Sequence, residues 1–244
     1  MDNFATNGRI TLDTFIGQAK ITETLKDSIS AAKMREEALG HILLSGPRGC
    51  GKDTLVNAIA EDLCVPVHVS SFNAIRSASD LAAILTNLTE GNILVLESFD
   101  AIRQDCIELL CEAMENFCIN IIIGKGPTAR SIRIDLPAFT LIGVMDVKMN
   151  ISEKLRGCFP ICLSFSDYST QELIQLATKW CSANSLKFTD DALETITLYA
   201  NGSNRKLTNA LKRARDFAVI TNNGIINSEV ADKTIDSFSD SDFT

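Results

Sequence analysis

At 244 residues, 45% hydrophobic and 22% charged, the chain has the composition of a soluble globular protein: one large domain, or a core domain plus a small one. Its net charge of −8 disfavours bulk attraction to a nucleic-acid backbone, so DNA would be met through a partner or a local patch. No apolar run approaches a membrane span and Met1-Asp2-Asn3 opens no signal peptide, which sets a cytoplasmic expectation. The eight cysteines form no CxxC pair and have only His41 and His68 to join them, which argues against a zinc site and for small core fillers. Cys50 sits where helix N-terminal amides would lower its pKa; a core filler is the preferred reading there too.

Along the chain, His41 to Ser45 reads as a first strand that runs directly into Gly46–Thr54, GPRGCGKDT. This stretch fits the phosphate-loop pattern GxxxxGK[ST] at every position but the last. Gly46, Gly49 and Gly51 permit the tight turn that aims backbone N–H groups at phosphate oxygens, and Lys52 can reach the terminal phosphates. Asp53 stands where a Ser or Thr hydroxyl would complete a magnesium shell. Thr54 cannot replace that hydroxyl, because one helical step turns its side chain by about 100°. ATP or ADP is thus the expected ligand, with Mg2+ in doubt.

A helix begins near Lys52, followed by strands at Pro66–Ser70, Ile93–Leu96 and Thr140–Val144. Near-continuous apolar strands separated by helices predict a parallel sheet covered on both faces. Between the last two, 119–123 and 131–136 flank the turn Gly124-Lys125-Gly126-Pro127, with Ile132, Ile134 and Leu136 alternating: a projecting β-hairpin over about 119–136. From about Asp167 the pattern is all helix. Ser169 and Glu172 form a capping box, Thr189-Asp190-Asp191 opens a second helix that Gly202 stops, and Leu207 to Ala218 follows at helical spacing up to Gly224. A short helix over 228–237 and a frayed tail at 239–244 complete the chain.

A phosphate-loop α/β domain (1–166) with an inserted hairpin, followed by a small helical lid domain (167–238), is the plan of AAA+ ATPases. The chain resembles the RuvB family, Holliday-junction branch-migration motors, over nearly its whole length. The resemblance is carried by Thr11 to Gln18, Asp80 to Leu88, Ile121 to Pro127 with Ala129 to Arg133 and Asp135 to Pro137, and Arg213 to Phe217. It implies that Phe15 and Ile16 line an adenine pocket and that Arg205, in Gly202-Ser203-Asn204-Arg205, is the sensor-2 arginine directed at the γ-phosphate.

Elsewhere the family's catalytic set is eroded. The Asp-Glu pair that follows the third strand is here Glu97-Ser98, so the carboxylate near the metal is a methylene longer and the water-activating base is gone. The γ-phosphate sensor falls at Met145 or Asp146, neither a hydroxyl nor an amide. Of the two arginines expected within Leu155–Phe159, Arg156 remains and Cys158 replaces the other. Loss of an arginine finger alone costs about 10³- to 10⁵-fold in rate. The family's C-terminal winged-helix domain has no counterpart before Thr244, which lowers the expectation of autonomous DNA binding.

In the family the hairpin docks on RuvA, and Ile121, Ile122, Ile123, Ile132 and Ile134 would supply the apolar surface for it. The expectation is a RuvB-like regulatory pseudo-ATPase that meets RuvA or a RuvB-type ring. The alternatives are a slow but active motor module and a non-catalytic subunit of a mixed ring.

Overall fold

The computed structural model describes residues 9–123, 130–146, 151–221 and 224–239. These residues form two compact units. One comprises Lys20–Pro47 and Leu55–Phe165; the other takes in the described residues of 1–19, 48–54 and 166–244.

The first unit opens with helix α1 (Ala19–Arg35), whose buried Ile21, Leu25, Ile29 and Ala32 recur at helical spacing. Strand β1 (Ile42–Ser45) leads to the phosphate loop and helix α2 (Lys52–Leu63), then β2 (Val67–Ser71), α3 (Ala78–Thr86) and β3 (Ile93–Glu97). A 3₁₀ turn (Phe99–Ala101) and α4 (Gln104–Asn116) precede β4 (Cys118–Ile123) and β5 (Arg130–Asp135). β6 (Thr140–Met145), α5 (Glu153–Gly157) and β7 (Ile161–Ser164) close the unit.

The sheet is parallel, in the order β2-β3-β6-β1-β7. β1 and β6 are buried at every position because each has a strand on both sides and cover on both faces. β2 and β7 lie at the edges and are only partly buried. The four strands expected from sequence are all present. β7 adds a fifth that pattern alone does not reveal: four residues, half of them exposed, resemble a loop until Ile42 and Leu44 pair with Ile161 and Leu163.

His41 ties this unit together at the entry to β1. The Leu141 N–H donates to its Nδ1 at 2.9 Å and its Nε2 lies 3.0 Å from the Met114 carbonyl. Those partners require the neutral ring with its proton on Nε2. Burial pushes the pKa down, opposed by the hydrogen bond to Met114.

The hairpin forms as expected, with β4 and β5 antiparallel and Ile119 opposite Ile134, Ile121 opposite Ile132. Phe117 adopts a left-handed φ of 47°, which ends α4 and turns the chain into β4.

The second unit is helical. Its members are α6 (Thr170–Ala183), α7 (Asp190–Ala200), α8 (Asn204–Thr221) and α9 (Ser228–Ser239), with the short parallel pair β8 (Lys187–Phe188) and β9 (Ile225–Ile226). Ser169 and Glu172 make the reciprocal capping box at α6. Leu173, Trp180, Leu193, Ile196, Leu207 and Leu211 belong to its core. No helix among the described residues is long and apolar enough to cross a membrane. Of the tail expected at 239–244, Ser239 instead closes α9, and 240–244 lie outside the described residues.

Candidate functional site

The phosphate loop turns as its glycines require: φ is positive at Gly46 (155°), Gly49 (77°) and Gly51 (107°). Gly49 has a second constraint, since a Cβ there would lie 2.7 Å from Cβ of Arg205, at the start of α8. The loop and Arg205, expected to act together, are therefore neighbours. Lys52 is buried at the first residue of α2, Asp53 is exposed beside it and Thr54 is half-buried. Cys50 is buried; burial pushes its thiol up, partly offset by the Lys52 charge, which makes it a core filler rather than an activated thiol.

Beside the loop lies a cleft of about 450 Å³ open to solvent. Phe15 and Ile16 of the N-terminal arm, Gly51 and Thr54 of the loop, Tyr168 just before α6, and Leu176 and Asn204 of the helices line it, with Ile10, Thr14 and Lys179. Tyr168 holds the arm and loop in place. Its hydroxyl donates to the Cys50 carbonyl at 2.8 Å, and a Cβ on Gly17 would meet its ring at 2.6 Å. Desolvation, reinforced by Cys50 and Glu172, pushes its pKa above the usual range, so the phenol keeps its proton and stays a donor. Lys179 donates to the Thr14 carbonyl at 3.2 Å, and the Gln18 side chain donates to the Ser166 carbonyl at 2.7 Å. An apolar cleft opening onto backbone amides suits a planar base joined to phosphates.

The remaining expected positions belong to the sheet unit. Glu97 is the exposed last residue of β3. Ser98 follows at φ 51° and ψ 45°, and its Oγ accepts from Asn73 Nδ2 at 2.9 Å. Met145 is buried in the core; Asp146, just past β6, is half-buried. Arg156 is exposed on α5, whereas Cys158 is buried, with Sγ 3.4 Å from both Glu115 Oε1 and the Lys154 carbonyl. Burial, Cys111 and Glu115 push its thiol up to about 12. Among the described residues no three His, Cys, Asp or Glu side chains converge as a metal site.

Residues 9–165 match the Holliday junction DNA helicase RuvB P-loop domain, and residues 168–239 match the RuvB AAA lid domain. The chain belongs to the RuvB family. Among solved structures it is similar to the Thermotoga maritima RuvB Holliday junction branch migration motor: 32% identity, TM-score 0.85, 96% of this chain and 73% of that one. Two single-substitution mutants of Thermotoga RuvB give 34% identity with TM-score 0.86 and 33% with 0.85. The first covers 94% of this chain and 73% of that one, the second 93% and 71%.

Of the residues singled out for the base and phosphates in this RuvB-family chain, Phe15, Ile16, Gly51 and Thr54 line one cleft, whereas Gly46, Gly49, Lys52, Asp53 and Arg205 are not among its lining residues. Sequence reasoning did not find Tyr168, Leu176, Lys179 or Asn204. Asn204 alone carried a signal, as the neighbour of Arg205. The hairpin isoleucines divide. Ile121 and Ile134 are half-buried against their own unit's core, while Ile132 is 46% exposed. The side chains of Ile122 and Ile123 and the turn at 124–127 lie outside the described residues.

Proposed function

We propose that this chain is a nucleotide-binding regulatory module of the Holliday-junction branch-migration machinery, with impaired hydrolysis, acting in the cytoplasm in recombination and repair. On this reading residues 1–166 bind ATP or ADP and 167–238 form the lid domain. The loop amides and Lys52 hold the phosphates, Phe15 and Ile16 the base, and Arg205 stands beside the loop. Its partner is a RuvA-like protein or a ring of RuvB-type subunits, met through the hairpin around Ile132; DNA is met indirectly.

The observation that carries impairment is Ser98. A neutral hydroxyl already accepting from Asn73 cannot take a proton from an attacking water. Asp53 presents an exposed carboxylate where the phosphate-loop pattern carries the hydroxyl that a magnesium ion would take. Calorimetric titration with ATP and ADP, with and without Mg2+, tests the reading when a phosphate-release assay is run on the same sample. Binding without release is expected. Steady release that Lys52→Ala abolishes would overturn it and favour the second reading, a slow motor module, which the placement of Lys52 and Arg205 supports.

A further inference from the structure

Among the described residues a single buried side-chain polar atom has no hydrogen-bond partner: Oδ1 of Asn204. Native proteins rarely leave such an acceptor unmet unless something else satisfies it. Asn204 is 8% exposed and lines the cleft together with Phe15, Ile16 and Gly51. Three other polar side chains of that wall are already engaged. The Tyr168 hydroxyl donates to Cys50, Lys179 donates to the Thr14 carbonyl, and the Thr14 hydroxyl is paired with Thr11. Asn204 thus brings to the cleft a carboxamide whose buried oxygen has no donor, set among apolar side chains.

Resting on the reading that a nucleotide occupies this cleft, we propose that Asn204 selects the base. Its Oδ1 accepts from the exocyclic amino group of adenine. A carboxamide complements adenine's adjacent donor and acceptor. Hypoxanthine and guanine place a carbonyl oxygen at that position and would face Oδ1 acceptor to acceptor. On the N6/N7 edge, turning the amide end for end lets Nδ2 donate to that oxygen but sets Oδ1 against N7, again acceptor to acceptor, so only adenine satisfies both atoms. The Asn side-chain amide torsion is broad, so presenting Oδ1 to a ligand requires little strain.

The test is calorimetric titration of the full chain with ADP, IDP and 2′-deoxy-ADP, without magnesium, for the wild type and Asn204→Leu. The wild type should bind ADP about 10- to 100-fold more tightly than IDP, since an unmet buried polar group penalises the wrong ligand. Asn204→Leu should bring that ratio close to one by weakening ADP alone, with Lys52→Ala weakening ADP and IDP together. Equal wild-type affinities for ADP and IDP would overturn the assignment, as would an Asn204→Leu loss common to both. A penalty on 2′-deoxy-ADP that Asn204→Leu removes would overturn it in favour of a ribose contact. Failure of every nucleotide to bind would bring down the underlying reading first. Should Asn204→Leu fail to fold, Asn204→Ala is read by the same two criteria.

Discussion

Gly17→Ala probes how the N-terminal arm is seated in the cleft. Gly17 has φ +79°, and an added Cβ would lie 2.6 Å from Tyr168 Cε1 and 2.9 Å from Cδ1. Holding alanine in the left-handed region costs about 1–2 kcal/mol. The ring must also shift to restore van der Waals distance, which breaks the 2.8 Å bond from its hydroxyl to the Cys50 carbonyl. Losing a buried hydrogen bond and leaving its partner unmet adds about 1–3 kcal/mol. The total is roughly 2–5 kcal/mol, a large share of a typical domain's stability. Denaturant unfolding of Gly17→Ala, Tyr168→Ala and the double variant separates the two contributions. In the Tyr168→Ala background the ring is gone, so Gly17→Ala should cost only the backbone part, a coupling of about 1–3 kcal/mol. Equal costs in both backgrounds would refute the steric reasoning.

Other outcomes follow from the same contacts. His41 has a folded pKa below its unfolded value, so its contribution is fully present above about pH 6.5 and is lost as pH falls toward the lowered folded pKa. In that window unfolding free energy should fall by about 1.4 kcal/mol per pH unit, and His41→Gln should flatten the slope; an unchanged slope would contradict the neutral-ring assignment. Iodoacetamide at pH 8 should label the exposed Cys64 and Cys162 first and reach Cys158, with its raised pKa and burial, only on unfolding; mass mapping reads the order. Restoring the family's chemistry with Asp53→Thr, Glu97→Asp and Ser98→Glu together should raise phosphate release by about 10²-fold or more, and no rise would place the impairment elsewhere. Ile132→Asp should weaken pull-down of a RuvA-like partner without lowering stability, because Ile132 is exposed, whereas Ile134→Asp should destabilise the fold.

Much of this molecule could be read from one dimension. The phosphate loop follows from glycine spacing, because only glycine takes positive φ at no steric cost at 46, 49 and 51. The internal strands follow from their unbroken apolar runs, the hairpin from alternation on either side of a Gly- and Pro-containing stretch, and α6 from its capping box. Family membership was legible from the Thr11–Gln18 and hairpin segments, and the domain matches bear it out. These are local signals, written over a few adjacent residues.

Tertiary structure decided what depends on distant partners. β7 is a strand because Ile42 and Leu44 pair with it, not because its four residues demand it. The isoleucines of the hairpin look alike in sequence, and burial distinguishes Ile121 and Ile134 from Ile132. The cleft draws on residues 10–16, 51–54 and 168–204, so no periodicity could announce Tyr168 or Asn204 as its walls. A side chain's hydrogen-bond debt is settled or left open only by the groups that folding brings to it, and for Asn204 it was left open.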